Sequence, residues 1–329
     1  MSARVVVMTD RAWPDDSIER NVIESAGFSF VTGPPDAPSA TEVEHAVGDH
    51  QPAAIMTCWA QVSARAIDLA DSLEIVARMG VGLDNIAVEA ATRQGVLVTN
   101  VPDYCIEEVS DHAVGLALAW TRGLIQFDRL VRAGCWDPSC ARLRRLATLT
   151  CGIVGLGRIG RRTGEKLKAL GARVIASDPY PPPDADGIEI LALRDLLAAS
   201  DIVIVHAPLT DTTRHLIGAA ELALMPQGGL LVNVSRGPLV DSDAVIDALR
   251  SGHLSGAGLD VLESEPDVPP GLLEQPGALL TPHIAFSSDV AVEQLRRSAA
   301  EEVVRVLSGD PPRYPCNRPA ARAAEGTRP

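Results

Sequence analysis

Aromatic side chains are scarce: four Trp, three Tyr and four Phe, only 3% of 329 residues. A core for a chain of this length must therefore be built from Val, Leu, Ile and Ala, which the 46% hydrophobic content allows. Long hydrophobic runs are missing too. None approaches the roughly 18 apolar residues of a membrane span, and the stretch Val5-Val6-Val7-Met8 is too short for the apolar region of a secretion signal. The expectation is a soluble cytoplasmic protein with no membrane partner. Positive charge is also in deficit, with 29 Lys and Arg against 43 Asp and Glu and a formal net charge of −14. Binding a duplex needs concentrated positive charge to displace counterions, so nucleic acid is excluded as a direct partner. The densest basic cluster, Arg142, Arg144 and Arg145, reads as a solvated helix face. The six cysteines show no zinc-ligand spacing with each other or with His. They read as free thiols, with neither a metal site nor a disulfide framework.

What is present is an alternation of short β-branched runs with amphipathic stretches, the pattern of parallel sheets with helical crossovers. Strands are expected at residues 4–8, 53–57, 74–79 and 96–99, with helices at 16–26, 41–47, 63–70 and 88–93. Residues 106–133 form a proline-free apolar-periodic stretch, read as a connecting helix plus an arm. A second series follows, with strands at 150–154, 173–177, 202–206, 230–234, 256–260 and 278–280, and helices at 158–170, 219–224 and 242–250. A last helix at 288–307 is expected to pack back on the first series, which makes that domain discontinuous in sequence. Residues 316–329 are Ala/Arg/Pro-rich without periodicity and read as a flexible tail.

The strongest local signal is Cys151-Gly-Ile-Val-Gly155-Leu-Gly157-Arg158-Ile159-Gly160. A G-x-G-x-x-G by itself is weak. Here a strand precedes it, a helix follows it, and a second strand ends at Ser177-Asp178, which is the βαβ context of a dinucleotide site. Gly155 permits the tight turn, Gly157 lets the backbone approach a pyrophosphate, and Gly160 lets helix and strand pack closely. The helix N-terminus offers N–H groups and a positive dipole end to phosphate. Asp178 stands where a carboxylate accepts from a ribose diol and repels a 2′-phosphate, so NAD is favoured over NADP.

Three further segments lie at or just after expected strand ends, where ligands bind in open α/β sheets. They are Asn233-Val234-Ser235-Arg236-Gly-Pro, Gly258-Leu-Asp260-Val-Leu-Glu-Ser-Glu265-Pro, and Thr281-Pro-His283-Ile-Ala. With Arg78-Met-Gly80-Val81-Gly82-Leu-Asp-Asn85 and Asn100-Val101-Pro102, in this order, the chain resembles the D-isomer-specific 2-hydroxyacid dehydrogenase family from about residue 53 to 300.

The resemblance implies an NAD-dependent oxidoreductase that moves a hydride between nicotinamide and C2 of a 2-oxo or D-2-hydroxy acid. It implies two Rossmann-like or flavodoxin-like α/β domains with parallel sheets. The substrate domain would be residues 1–99 plus 286–315, and the NAD-binding domain residues 100–285. Arg236 matches the substrate-binding arginine, whose fork holds a carboxylate and polarises the adjacent carbonyl. His283 matches the catalytic acid/base, and Glu265 the carboxylate that pairs with it. Gly80, Val81 and Gly82 match the loop that binds the substrate carboxylate through backbone N–H groups. Arg158 and Ile159 match the pyrophosphate turn; Ala207, Pro208 and Thr213 match an adenine-side loop. Val234 and Ser235 precede the arginine, Asp260 matches a contact to the nicotinamide carboxamide, and Val101 lies on the nicotinamide side. The family also implies a homodimer, for which Ile125, Phe127, Leu130 and Trp136 supply apolar surface.

His112 reads instead as a packed or hinge histidine, and His206 as a shaper of the adenine loop. His45, His50, His215 and His253 show no partner pattern. After His283 the chain runs Ile284-Ala285-Phe286-Ser287, and the aromatic there, with the segment from Asn100 to Val109, is similar to the branch that includes the C-terminal-binding-protein corepressors. Phe286 is therefore read as a substrate-side residue, with Trp59 as a second candidate for an apolar side-chain pocket. The same branch supplies an alternative, a nucleotide-sensing dimer that recruits partners and retains residual catalysis.

Overall fold

The computed structural model describes residues 4–185 and 187–319. The chain divides into two units, Met1–Tyr104 with Ser288–Pro329, and Cys105–Ser287.

The first unit alternates strand and helix: β1 (Val5–Met8), α1 (Ser17–Ser25), β2 (Ser29–Thr32), α2 (Ala40–His50), β3 (Ala54–Thr57), α3 (Ala64–Asp68), β4 (Ile75–Arg78), α4 (Val88–Arg93) and β5 (Leu97–Thr99). The five strands are parallel in the order β2-β1-β3-β4-β5. Strands covered by helices on both faces need apolar residues at every position rather than at alternate ones, and β3 and β4 are buried throughout. Ser39 and Glu42 form a capping box that starts α2.

The second unit opens with two helices, α5 (Ile106–Thr121) and α6 (Leu124–Arg132). The long apolar stretch breaks between them because Gly123 adopts φ +61°, which glycine tolerates and a continuing helix does not. There follow β6 (Thr150–Val154), α7 (Arg158–Ala169), β7 (Arg173–Ser177), β8 (Glu189–Ile190), α8 (Leu193–Ala199), β9 (Ile202–Val205), α9 (Ala219–Leu222), β10 (Gly229–Asn233), α10 (Ser242–Arg250), β11 (Leu254–Leu259), α11 (Pro270–Leu273) and β12 (Ala278–Leu280). Seven parallel strands run in the order β12-β11-β10-β9-β6-β7-β8. Val203, Val205, Leu231, Leu254 and Leu259 anchor its aliphatic core.

The final helix, α12 (Asp289–Leu307), belongs to the first unit. Arg296 on α12 reaches Glu19 on α1, with Nη2 2.8 Å from Oε2 and Nε 2.9 Å from Oε1, and both side chains are buried. A buried guanidinium is tolerable only when paired in this way. This is the discontinuous α/β architecture that the alternation of elements predicts.

Several expectations are corrected. Arg142, Arg144 and Arg145 lie in irregular chain rather than on a helix face. The tail does not begin at Cys316: its N–H donates to Val98 O at 2.8 Å, and Asn317 donates to Val96 O at 2.9 Å and accepts from Val98 N–H at 2.8 Å. Unpaired groups on the edge strand β5 recruit these residues, while residues 320–329 lie outside the described residues. Residues 100–104 go with the first unit, because Val101 N–H donates to Gly80 O at 3.0 Å and Asn100 Nδ2 to Val81 O at 2.7 Å. The strands β2 and β8 and the helices α8 and α11 were not expected from the sequence. Among the described residues no helix is long and apolar enough to cross a membrane.

Candidate active site

The order of the seven-stranded sheet reverses at β6 and β9, the switch point where open α/β sheets bind ligands. The glycine fingerprint joins β6 to α7 there. Gly155 has φ +95°, and a Cβ on Gly160 would lie 2.1 Å from Gly155 O. Each position therefore requires glycine: the first for its dihedral, the second for the close approach of helix to turn. Gly157 faces open space. A cavity of about 440 Å³ beside it is lined by Leu156, Gly157, Arg158 and Arg161 among others. Asp178 follows β7, and its two oxygens accept from Leu156 N–H at 2.7 Å and Tyr180 N–H at 2.8 Å. These bonds hold the carboxylate over the turn, and each oxygen keeps a second lone pair for a diol. The open glycine, the cavity and this acceptor fit a dinucleotide.

The adenine-side candidates Ala207, Pro208 and Thr213 share the loop after β9. Thr213 Oγ1 donates to Pro208 O at 2.8 Å and accepts from Thr210 N–H at 2.7 Å. His206 is part-buried, with Nε2 2.9 Å from Thr163 Oγ1, and desolvation pushes its pKa down to about 4. It stays neutral and braces the loop.

The adjacent strands β10, β11 and β12 deliver the remaining candidates at their carboxyl ends. After β10, Ser235 Oγ donates to Val205 O at 3.0 Å and Asn233 Nδ2 to Arg236 O at 2.9 Å. Arg236 Nη1 donates to Ser235 O at 2.8 Å, which aims the guanidinium from a braced turn. A Cβ on Gly237 would fall 1.9 Å from the carbonyl carbon of Leu262. The Arg236 turn thus packs directly on the loop that carries Glu265.

His283 Nδ1 and Glu265 Oε2 are 2.7 Å apart. Glu265 Oε1 accepts from Leu262 N–H at 2.9 Å, which fixes the carboxylate. Burial alone would raise the Glu265 pKa. The His283 hydrogen bond and charge, the Leu262 N–H and Arg236 outweigh it and hold the pKa below its ordinary 4.5. A carboxyl depressed by folding stabilises the fold above its unfolded pKa, and that contribution is lost as pH falls through the folded value. Glu265→Gln is expected to flatten the dependence of Tm on pH below about pH 5, with little change in slope near neutrality. Indistinguishable slopes for the two proteins under acid would contradict this.

Asp260 has a task that the sequence did not reveal. It is buried, its Oδ1 accepts from Thr281 Oγ1 at 2.5 Å and Ile284 N–H at 3.0 Å, and its Oδ2 accepts from Ala285 N–H at 2.9 Å. His283 between these donors has φ +54°, a left-handed backbone that His adopts only when its surroundings impose it. His283 N–H donates to Asp260 O at 2.8 Å. One aspartate thus clamps the histidine loop from both ends. His112 Nε2 lies 3.0 Å from Thr281 Oγ1 and 3.6 Å from Asp260, which extends the clamp to α5. Phe286 meets the His283 ring edge-on, with centroids 6.4 Å apart.

His215 and His253, which show no partner pattern in the sequence, have partners in the fold: His215 Nε2 lies 2.6 Å from Glu263 Oε1, and His253 Nε2 lies 2.8 Å from Leu222 O. The partners are distant in sequence, so no local pattern announced them. Gly80, Val81, Gly82 and Val101 lie in the first unit. Among the described residues no group of three or more His, Cys, Asp or Glu could hold a metal ion.

Comparison with known proteins bears on this site. A sequence profile for the NAD binding domain of D-isomer specific 2-hydroxyacid dehydrogenases matches residues 114–285. D-3-phosphoglycerate dehydrogenase of Mycobacterium leprae is 38% identical over 298 residues, 90% of this chain and 56% of that protein. The chain thus spans just over half the length of that relative. Glyoxylate reductase of Korarchaeum cryptofilum is 38% identical over 260 residues, 76% of this chain and 78% of that protein. The crystal structure of D-lactate dehydrogenase from Aquifex aeolicus with NAD and lactic acid is similar at TM-score 0.83 and 26% identity, covering 93% of this chain and 96% of that one. With the profile covering more than half the chain and a relative matched over most of its length, the chain belongs to the D-isomer-specific 2-hydroxyacid dehydrogenase family.

Proposed function

We propose that this protein is an NAD-dependent dehydrogenase that interconverts a 2-oxo acid and the D-2-hydroxy acid. The observation that carries the reading is the triad on three adjacent strand ends: Arg236, Glu265 and His283, with the His283 loop clamped by Asp260. NAD(H) bound at the fingerprint supplies the hydride donor or acceptor, nicotinamide C4. The chain's residues do the rest. Gly155, Gly157, Arg158, Ile159 and Gly160 receive the pyrophosphate, and Asp178 takes the ribose diol and disfavours a 2′-phosphate. Ala207, Pro208 and Thr213 line the adenine side; Val101, Val234, Ser235 and Asp260 serve the nicotinamide side. Arg236 holds the substrate carboxylate and polarises the C2 carbonyl, and Gly80, Val81 and Gly82 offer backbone N–H donors of the kind that bind a carboxylate. His283 gives a proton to the carbonyl oxygen as hydride reaches C2, and takes it back in oxidation. Glu265 at Nδ1 fixes the ring so that Nε2 exchanges that proton. Phe286, against the His283 ring, borders the substrate.

The test is NADH consumption by the purified protein with glyoxylate, pyruvate and branched, aromatic and phosphorylated 2-oxo acids, with NADPH in parallel. Turnover with NADH, and much weaker turnover with NADPH, is expected. Tight NADH binding with no turnover of any acid would favour the nucleotide-sensing alternative instead.

A homodimer is part of the proposal. Helix α6 has no buried residue, and Leu124, Ile125, Val131 and Trp136 expose apolar side chains, Trp136 at 84%. Such a patch suits an isologous interface. Light scattering is expected to give twice the 34.7 kDa chain mass; a monomer at micromolar concentration would refute it.

A further inference from the structure

The five-stranded sheet has its own switch point, between β1 and β3 in the order β2-β1-β3-β4-β5. Such reversals open a ligand crevice at the carboxyl ends of the strands. At this point the loop after β3 is pinned by one carboxylate. Asp10, two residues beyond β1, is wholly buried. Its Oδ1 accepts from Cys58 N–H at 3.0 Å, and its Oδ2 from Trp59 N–H at 2.5 Å and Ala60 N–H at 3.1 Å. Thr9 Oγ1 donates to Oδ1 at 2.7 Å, and Asn85 Nδ2 closes the far side on Ala60 O at 2.9 Å. A loop whose three successive N–H groups converge on a buried charge has little freedom to reorient. The side chain that it presents is the part-buried indole of Trp59.

That indole is tied to the 80–82 loop. The Arg78 guanidinium lies over the Trp59 ring, 5.8 Å from its centroid, and Arg78 Nε donates to Gly82 O at 3.0 Å. Arg78 Nη1 donates to Met79 O and reaches Thr57 O at 3.5 Å. The guanidinium occupies the space that a Cβ on Gly80 would take, 2.6 Å from Nη1. Arg78 is only 5% exposed, and its Nε and Nη1 are engaged by carbonyls. Through Nε, Nη1 and its contact with the ring, this guanidinium holds the loop and the indole together. A phosphate dianion needs charge-assisted donors. An indole face offers apolar area and dispersion instead.

We propose that Trp59 is the specificity-determining residue for the group attached to the 2-oxo carbon, and that it selects acids whose side chain is apolar, branched or aryl, over acids that carry a phosphate. This deepens the dehydrogenase reading and rests on it, since that reading places the substrate carboxylate at Gly80, Val81 and Gly82. The selection also separates this chain from its relatives named for a phosphorylated acid, despite 38% identity.

The test is steady-state kinetics with NADH and four acids: glyoxylate, which has no side chain, 4-methyl-2-oxopentanoate, phenylpyruvate and phosphohydroxypyruvate. In the wild type kcat/KM is expected to rise from glyoxylate to the two apolar acids, with phosphohydroxypyruvate the poorest. Trp59→Ala is expected to lower kcat/KM for the apolar acids by about 10- to 100-fold, mainly through KM. It should leave glyoxylate within about threefold, and Trp59→Phe should keep most of the preference. A wild-type preference for phosphohydroxypyruvate, or an equal loss on all acids in Trp59→Ala, overturns the proposal. Glyoxylate turnover with a flat side-chain series overturns this inference alone. No turnover of any acid, glyoxylate included, overturns the dehydrogenase reading and the inference with it. The wild-type series decides the substrate class even if Trp59→Ala does not fold.

Discussion

His283→Asn is expected to lower kcat for 2-oxo acid reduction by about 10²- to 10⁴-fold and to leave the NADH dissociation constant within about twofold. The choice of asparagine follows from the backbone. His283 has φ +54°, a region that Asn enters more readily than other residues with a Cβ. Alanine there would add backbone strain to the loss of the ring, and the two effects would be confounded. The Asp260 bonds to Ile284 N–H and Ala285 N–H do not involve the ring, so the loop keeps its path in the variant. What disappears is the proton at Nε2 and the Nδ1 partner of Glu265. Stopped-flow NADH binding with steady-state turnover separates the two effects. Turnover within tenfold of wild type would remove His283 from the chemistry.

Arg236→Ala is expected to reduce kcat/KM by about 10²- to 10⁴-fold, from the loss of two charge-assisted hydrogen bonds worth roughly 1.5–3 kcal/mol each. Both kcat and KM should worsen, because in the proposed function the guanidinium holds the carboxylate in the ground state and polarises the carbonyl in the transition state. Arg236→Lys should recover only part of the loss: an ammonium has one charge centre and no planar fork. The turn itself is held by Asn233 Nδ2 on the Arg236 carbonyl and by Ser235 Oγ on Val205 O, bonds that either variant retains. A variant with altered NADH affinity and unchanged KM for the acid would place Arg236 on the cofactor instead.

The placement of these two residues at strand ends was legible in the sequence for a specific reason. Arg236 and His283 lie in short segments at strand ends, and β10, β11 and β12 are apolar enough for their ends to be found within two residues. The βαβ around Gly155 was equally plain, because β6, α7 and β7 each show their own period. Elements with weak local signals were not seen. β2 is a four-residue edge strand, Ser29–Thr32, with two hydroxyl side chains, and β8 has two residues.

Two carboxylates escaped the sequence reading altogether in their structural roles. Asp260 accepts from Thr281, Ile284 and Ala285, and Asp10 accepts from residues 48–50 positions away. Backbone N–H groups carry no residue identity. A carboxylate that gathers them is therefore invisible until the chain has folded and the strand ends have been brought side by side. The same holds for His215 and Glu263, 48 residues apart.

The most direct test of the account is deuterium transfer. The protein, NADH carrying deuterium at both C4 positions and a turned-over 2-oxo acid are incubated, and the hydroxy acid is analysed by mass and chiral chromatography. The expected product carries deuterium at C2, and it is the D enantiomer. The label should be lost in His283→Asn at the rate at which turnover is lost. An unlabelled product, an L enantiomer, or tightly bound NADH that never transfers its label to any acid would contradict the assignment of Arg236, Glu265 and His283 as a hydride-transfer site.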